Sequence, residues 1–408
     1  MECRVEEVLD VAMEIGMNLL RCGAEIRRVE DTIKYVCNAY GASEVDVFAI
    51  PTLIIATIKI DGQTYTSKVK RNLDVTTDLF RLEKYNKLSR KIVSTTPPLE
   101  VVREEIEKIA TLKDYNIFIV LFGSILAAGG FAMFFGGTIL DGISASIVAI
   151  IMTLFLRFDK IKMNYFVHIL LCSLIGGFFS IVMCWIGLAD NLSYVMSGAI
   201  MVVIPGLAIG TSIRDIMSND ILSGSIRLFQ AIVISAAIAA GFSLFAQLYR
   251  GDVTLNSNAK WYVALIAAFI STVGFGIIFN NKYKHLWIVG IGGVLSCCVY
   301  YFSNLHLNNE FLSVMLGTVT ATLLAEILAR ILKAPTTVFL IPTIIPFVPG
   351  ALLFYMMYNL INGNIEAFKT NLSGMSLASL GIAVGIILAS VFAQVVIKSM
   401  KFFKQKRA

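Results

Sequence analysis

The chain has 408 residues, of which 57% are hydrophobic and only 15% charged. A soluble protein carries about 25% charged residues, so this composition excludes an ordinary soluble protein. The charge is concentrated at one end, because residues 1–115 hold 36 of the 62 charged side chains. A polar N-terminal region therefore precedes a membrane region. The net charge of +6 predicts no nucleic-acid partner, since the excess lies in loops that flank membrane segments.

The N-terminal region has the pattern of a small α+β domain. Apolar residues recur first at helical spacing, then in a strand-rich stretch, and then at helical spacing again. The predicted elements are helices over residues 5–20 and 24–39, strands within residues 44–70 with a hairpin turn at Asp61-Gly62, and helices from Val75 through Lys108 with a pause at Pro97-Pro98.

The sequence gives no sign of a signal peptide, a metal site or an enzyme centre. Its first seven residues are charged and lead into an amphipathic pattern. The seven cysteines and three histidines lack metal-ligand spacing, and no phosphate-binding GxxxxGK[ST] motif occurs. The N-terminal region has no histidine, which argues against a Ser-His-Asp or Cys-His nucleophile there. We therefore predict no cofactor, no metal and no enzymatic activity.

Ten apolar segments of membrane-spanning length follow the N-terminal region. They predict an α-helical polytopic membrane protein with ten transmembrane helices. The segments lie near residues 117–137, 139–156, 166–188, 194–213, 227–249, 261–280, 285–303, 311–332, 336–361 and 375–397.

The basic residues predict the orientation of these segments. If the N-terminal region is cytoplasmic, the inside connections and the tail carry fourteen Lys and Arg residues, whereas the outside loops carry three. Because basic residues are retained on the cytoplasmic side, both termini are predicted to be cytoplasmic. We expect a multi-pass protein of the cell membrane, with the lipid bilayer as its environment.

Two of the predicted spans contain a helix breaker near their middle. Pro205-Gly206 lies within the fourth span and Pro349-Gly350 within the ninth. Proline in a helix interior costs about 3 kcal/mol and frees backbone groups that lipid cannot satisfy. Such breaks persist where those groups face protein, water or a ligand. Paired breaks in oppositely oriented spans are typical of secondary transporters.

Ten spans divide into five plus five, and a repeat with an odd number of spans must invert. We therefore predict two inverted five-helix repeats after the α+β domain. The predicted domains are residues 1–115, residues 116–250 and residues 251–408, the last with a basic cytoplasmic tail.

Each break is predicted to expose backbone amides at the start of a half-helix, near Leu207 and near Ala351. Aligned N–H dipoles at a helix N-terminus attract a carboxylate. The alternative is a kink that only lets the helices pack. On the first hypothesis the substrate lies between the two breaks, with Ser197, Thr211 and Ser212 as hydroxyl candidates on the fourth span.

Glu326 is the only acidic residue well inside a predicted span, and Arg330 follows it by one helical turn. A lone charge near mid-bilayer costs about 2.5–3.5 kcal/mol, so Glu326 is expected to have a partner or to face water. It is either an ion pair with Arg330 or a protonatable carboxylate that couples transport to protons. In the second case, Glu326→Gln is expected to abolish efflux driven by a pH gradient.

A charged cluster follows the first break and consists of Arg214, Asp215, Asp220 and Arg227. These residues either set the membrane topology or act in gating. Asp141, at the outer end of the second span, fits a helix cap better than a site.

A second charged motif lies in the N-terminal region. Gly23-Ala24-Glu25 is followed by Arg28 and Glu30 on one predicted helix. Such a face is usually solvated, and the alternative is an ion-pair network or a partner surface.

These motifs together resemble the threonine/serine exporter family over nearly the whole chain. The resemblance rests on their order along the chain. It comprises Gly23-Ala24-Glu25 with Arg28-Val29-Glu30, Arg71-Asn72-Leu73, Gly136-Gly137 before Asp141, Pro205-Gly206 followed by Arg214-Asp215, Asp220, Ser223-Gly224 and Arg227, and Pro349-Gly350.

The resemblance implies a cytoplasmic N-terminal domain, a ten-span exporter domain, and export of threonine and serine driven by the membrane potential or a proton gradient. Some relatives carry the two halves as separate chains and are linked to dicarboxylate export, whereas here the halves are fused. The leading hypothesis is a secondary-active exporter of a small polar metabolite, with a dicarboxylate exporter as the alternative. A membrane receptor with a cytoplasmic signalling domain is a hypothesis of another class, and a homo-oligomer stays open.

Overall fold

The structure is a computed structural model that describes residues 2–60, 63–66, 69–71, 76–157, 163–217, 219–249 and 259–405. The hairpin turn predicted at Asp61-Gly62 and the last two residues of the Arg71-Asn72-Leu73 motif lie outside the described residues.

The described residues of the N-terminal region form four helices and a four-stranded antiparallel sheet. Strand β2 pairs with β1 along one edge, and with β3 and β4 along the other. The elements are α1 (Glu2–Arg21), α2 (Ile26–Ala39), β1 (Glu44–Ile50), β2 (Leu53–Ile60), β3 (Gln63–Thr66), β4 (Lys70–Arg71), α3 (Leu79–Thr95) and α4 (Leu99–Ala110).

Helix α2 shows how the charged motif is placed. Its apolar residues Ile26, Val29, Ile33 and Val36 recur every three or four positions and are buried. This spacing places them on one face of the helix, which leaves the charged residues on the other faces. Gly23 ends the preceding turn with a positive φ of 85°, a conformation that glycine adopts without steric cost.

The regular secondary structure in the described parts of the membrane region is all helical. Eight described helices are long and apolar enough to cross a membrane, and a bent pair raises the number to nine. The helices are α5 (Ile117–Phe134), α6 (Ile139–Arg157), α7 (Tyr165–Trp185), α8 (Leu192–Ile200), α9 (Gly206–Met217), α10 (Ile221–Ala246), α11 (Trp261–Ile278), α12 (Tyr283–Leu307), α13 (Glu310–Ile331), α14 (Thr336–Ile344), α15 (Gly350–Ile361) and α16 (Ile365–Gln405).

The predicted fourth span corresponds to α8 and α9, two helices of 9 and 12 residues. The described helices that qualify as spans do not include this pair, so a count of ten stays a prediction.

Asparagine side chains cap the N-termini of several membrane helices. An N-cap side chain accepts a hydrogen bond from a backbone N–H that the helix itself leaves free. Within the described residues the cases are Asn116 before α5, Asn164 before α7, Asn191 before α8, Asn309 before α13 and Asn364 before α16.

The helices of the two halves make corresponding contacts. In the first half α8 contacts α5, α6 and α7, while α10 contacts α7 and α9. In the second half α14 contacts α11, α12 and α13, while α16 contacts α13 and α15. The halves meet where α5 packs on α11, and also where α10 contacts α15 and α9 contacts α16.

The N-terminal region packs against connections from both halves. The backbone amides of Leu79 and Phe80, at the start of α3, donate to the carbonyls of Phe279 and Asn280 at 2.9 and 3.1 Å. These carbonyls belong to the α11–α12 connection. On the first half, Ser223 of α10 donates its hydroxyl to a carbonyl of β1. Helix α3 also contacts α14.

Candidate functional site

Both predicted helix breaks are present. Helix α8 ends at Ile200, and α9 begins at Gly206, directly after Pro205. In the second half a 3-10 turn over Ile345–Phe347 follows α14, and α15 begins at Gly350. The axis bends by 47° between α14 and α15. In both cases the helix after the break starts with the glycine of the Pro-Gly pair.

The two breaks lie against each other. A Cβ placed on Gly350 would come within 2.9 Å of Ile204 Cγ2 and 3.1 Å of Met201 Sδ, both in the segment between α8 and α9. At the half-helix starts, Ala208 donates its amide to the Pro205 carbonyl, and Leu353 donates to Pro349, each at 3.0 Å. The two half-helix starts, which carry the predicted amide groups near Leu207 and Ala351, therefore lie close together. That these amides bind a carboxylate stays a prediction.

Ser197 joins the two broken helices. Its hydroxyl lies 3.1 Å from the Tyr355 hydroxyl of α15, and Tyr355 also lies 3.4 Å from the Ser193 carbonyl. Both side chains are buried. The sequence analysis did not identify Tyr355. Its position five residues after the second Pro-Gly pair could have indicated a polar contact near the break, because a buried Tyr hydroxyl usually has a hydrogen-bond partner.

The other hydroxyl candidates lie on α9, beyond the first break. The Thr211 side chain is half-buried and lies 3.4 Å from the Ala208 carbonyl. Ser212 is fully buried, and its carbonyl packs directly against Gly224 of α10. The side chains of Leu207 and Arg214 lie outside the described part of α9.

The charged cluster after the first break contains a buried ion pair. Arg227 of α10 lies 3.3 Å from the Asp215 carboxylate of α9, and Asp215 is only 4% exposed. The same guanidinium donates to the carbonyl of Ala24 at 3.5 Å. Arg227 therefore links α9 and α10 to the Gly23-Ala24-Glu25 motif, so the two charged motifs meet at one place.

Glu30 lies at the same junction. Its carboxylate accepts a hydrogen bond from the Ala49 amide at 2.9 Å, and the Ala49 carbonyl accepts one from Ser223 of α10. Burial raises the pKa of Glu30, and the neighbouring charges of Asp220 and Asp31 raise it further, against the Ala49 hydrogen bond and Lys34. A proton on Glu30 is therefore held more tightly in the folded protein than in the unfolded chain.

Because the folded-state pKa is raised above its usual 4.5, protonation of Glu30 adds stability as pH falls, and that stability is lost as pH rises through the raised pKa. We expect Glu30→Gln to raise the unfolding midpoint of the whole protein at pH 7 and to flatten the rise of that midpoint as the pH falls from neutral. Thermal unfolding in detergent at a series of pH values measures this. Glu107→Gln on the exposed side of α4 is the matched control, and an equal shift in both variants would exclude the effect.

Two family models for threonine/serine exporters match residues 10–249 and 264–392. The chain belongs to the threonine/serine exporter family.

Individual relatives are distant. The threonine/serine exporter of Corynebacterium glutamicum is 21% identical over 96% of this chain and 83% of its own length. A protein of Mycobacterium tuberculosis named "Probable threonine/serine exporter" is 21% identical over 96% of this chain and 77% of its own. Pheromone-regulated membrane protein 10 of Kluyveromyces lactis is 25% identical over 48% of this chain, which spans 23% of that relative. No solved structure matches the chain.

Glu326 of this exporter-family chain has close partners near one end of α13. Its carboxylate lies 2.8 Å from the Arg330 guanidinium and accepts from the Thr336 hydroxyl at 3.3 Å. This geometry fits the predicted ion pair. It adds a link that the sequence did not indicate, because Thr336 is the first residue of α14, the first half of the second broken pair.

Asp141 acts as a helix cap in the structure, as predicted. It forms a reciprocal capping box with Thr138, whose amide donates to one carboxylate oxygen at 2.9 Å. The other oxygen accepts from the amides of Asp190 and Asn191, just before α8, at 2.8 and 2.9 Å. This carboxylate therefore fixes the start of the first broken pair.

A buried charged contact joins α3 to the second half of the membrane region. The sequence analysis did not predict this contact. Glu83 is 2% exposed and lies 2.6 Å from Lys282 and 2.9 Å from Lys87. Burial raises the pKa of Glu83, but the hydrogen bonds and charges of the two lysines outweigh it, and the net pKa is lowered. Glu83 therefore stays ionised near neutral pH and holds the α11–α12 connection.

Proposed function

We propose that this chain is a secondary-active exporter of small polar metabolites, with threonine and serine as the favoured substrates and the proton motive force as the driving force. One observation carries the proposal: two helices broken at Pro-Gly pairs, one from each half, meet at their breaks. Paired broken helices of this kind form substrate sites in secondary transporters. The family membership supports the same class of function.

The proposed architecture is ten spans in two inverted five-helix repeats after a small α+β domain. The corresponding helix contacts of the two halves support it, with α8 and α9 as the fourth span. We place the N-terminal region and both termini in the cytoplasm, since the α9–α10 and α11–α12 connections that it contacts are predicted to be cytoplasmic. The proposed domains are residues 1–115, 116–250 and 251–408.

In the proposed site, the substrate carboxylate binds the amides that follow Pro205-Gly206 and Pro349-Gly350. Helix N-termini carry a partial positive charge, which suits an anionic group in a membrane interior. The Ser197–Tyr355 contact supports a recognition role for hydroxyl groups, because it joins the two broken helices close to their breaks. A substrate hydroxyl can exchange hydrogen bonds with this pair.

For the coupling step we propose that Glu326 alternates between charged and neutral forms. Its carboxylate holds both Arg330 and Thr336, so protonation weakens two contacts at once and frees the start of α14. Through the contact with Thr336, a proton that binds Glu326 on α13 affects α14, the first helix of the second broken pair. Gating at the other break is assigned to the Asp215–Arg227 pair and to Asp220, whose amide donates to the Asp215 carbonyl. Arg214, which precedes Asp215 in the sequence, is assigned to the same role.

The test is transport by purified protein in liposomes. We expect counterflow of labelled L-threonine and L-serine in the absence of a gradient, and concentrative uptake when a pH gradient is imposed. Glu326→Gln is expected to retain counterflow and to lose the response to the gradient. Counterflow of succinate instead would establish the dicarboxylate alternative, and the absence of counterflow with every substrate would contradict the exporter. If Glu326→Gln still took up substrate in response to the gradient, Glu326 would have only the structural role of its ion pair with Arg330.

A further inference from the structure

A cleft of about 540 Å³ lies between α2 and α3 in the N-terminal region, away from the broken helices. One helix face borders it on each side. The α2 side presents Arg28, Asp31, Thr32 and Tyr35, and the α3 side presents Asn86, Ser89, Arg90 and Val93. In each set two adjacent residues lie between two others that are three or four positions from them, so each set forms one stripe of its helix.

The cleft carries charges of both signs. Arg27 and Arg28 on the α2 side and Arg90 on the α3 side supply cations, and Asp31 and Glu25 supply carboxylates from the α2 side. Within the part of the chain that the structure describes, neither Arg28 nor Arg90 has a carboxylate within 4.0 Å. Guanidinium groups on two walls suit a carboxylate ligand, whereas the acidic side suits an ammonium group.

The wall of the cleft contains a buried polar group that does not form all of its possible hydrogen bonds within the described residues. Asn86 is 9% exposed, and its Nδ2 donates no hydrogen bond within the described residues. A buried donor without an acceptor costs free energy, so such a group in a cleft favours a ligand that supplies an acceptor. Thr32 and Ser89, also buried, add hydroxyl groups to the same cleft.

The two walls are attached to different halves of the membrane region. Helix α2 begins two residues after Ala24, whose carbonyl accepts from Arg227 of α10. Helix α3 is held at the α11–α12 connection through the Phe80 amide and the Glu83–Lys282 contact. A ligand that bridges the walls therefore acts between the two halves.

From these observations we infer that the α2–α3 cleft is a second binding site, for a zwitterionic α-amino acid that regulates the protein. The carboxylate is bound by Arg28 and Arg90 with Asn86 at the side, and the ammonium group by Asp31 and Glu25. A dicarboxylate would place its second negative charge beside Asp31, so it is disfavoured. The site goes beyond the proposed transport function, because it is separate from the broken helices.

Hydrogen exchange of the full-length protein in lipid nanodiscs tests the site, with L-threonine as the probe. We expect L-threonine to slow exchange in α2 and α3, and succinate or L-threonine amide to have little effect. Arg90→Ala and Arg28→Ala are expected to raise the L-threonine concentration needed for half the effect by about tenfold or more, because each removes a charge-assisted contact. Asn86→Leu is expected to act in the same direction.

Arg103→Ala is the matched control, since Arg103 is exposed on α4 of the same region and does not line the cleft. It is expected to behave like the unmodified protein. The inference is overturned if L-threonine leaves exchange in α2 and α3 unchanged up to its solubility limit, or if the cleft variants respond as Arg103→Ala does. Exchange reports binding without transport, so this outcome is independent of the liposome assay.

Discussion

Arg227→Ala is expected to destabilise the protein by about 3–5 kcal/mol, because it removes the cation beside a buried carboxylate. The Asp215 side chain is 6% exposed and that of Arg227 is 15% exposed, so water replaces the lost partner poorly. The same variant removes the donor to the Ala24 carbonyl, which holds the N-terminal region to α10. Thermal and denaturant unfolding in detergent measure the loss, and the rate of protease cleavage before α5 measures the detachment.

Arg157→Ala is the matched control for this prediction, since Arg157 is exposed in the last turn of α6. Its removal is expected to change stability by less than about 0.5 kcal/mol. The double variant Asp215→Asn with Arg227→Ala is expected to recover part of the stability, because the buried side chain that loses the Arg227 cation is then neutral. Equal losses in Arg227→Ala and Arg157→Ala would show that the ion pair contributes nothing to the fold.

The positions of both helix breaks could be predicted because their cause is local. A proline inside a helix removes a hydrogen bond and clashes with the preceding turn, whatever surrounds it. The rule has a limit in α14. Pro342 lies within this helix and does not end it, whereas Pro346 lies in the 3-10 turn that follows. The Asp141 cap was also predictable, because its capping-box partner Thr138 lies three residues away.

The partners across the fold could not be predicted, because they join residues that are far apart in sequence. Ser197 and Tyr355 are separated by 158 positions, and Arg227 and Ala24 by 203. Helical periodicity identifies which face of a helix is apolar but not which other helix it meets. The charged face of α2 illustrates this, since its pattern equally fits a solvated surface, yet part of its motif contacts α10.

Glu326 shows a further limit of sequence reasoning. Its spacing to Arg330 correctly indicated an ion pair, since residues four apart on a helix face each other. The contact with Thr336 depends on the turn between α13 and α14, which the pattern does not specify. That contact makes the carboxylate a link between two helices, and it is the structural reason for keeping Glu326 in the proposed coupling step.

Gly198→Ala is expected to be among the most damaging single-methyl additions in the membrane region. A Cβ at Gly198 would collide with the backbone carbonyl of Ala128 on α5, and it would lie 2.9 Å from Ala132 Cβ and 3.0 Å from Ala145 Cβ on α6. No flexible side chain can turn away, so α8 must shift as a whole. Such overpacking typically costs about 1–3 kcal/mol, although alanine alone is the better helix former.

The shift of α8 also separates Ser197 from Tyr355, so transport is expected to fall more steeply than stability. Gly374→Ala on α16 is the matched control, because among the described residues its Cβ would meet only Leu352 side-chain atoms at 3.5 and 3.8 Å, which is ordinary contact. That variant is expected to keep its activity and to gain up to about 1 kcal/mol from helix propensity. Counterflow and thermal unfolding of the two variants, compared side by side, decide the matter. If Gly198→Ala behaved as Gly374→Ala does, close packing of α8 on α5 would not be required for the site.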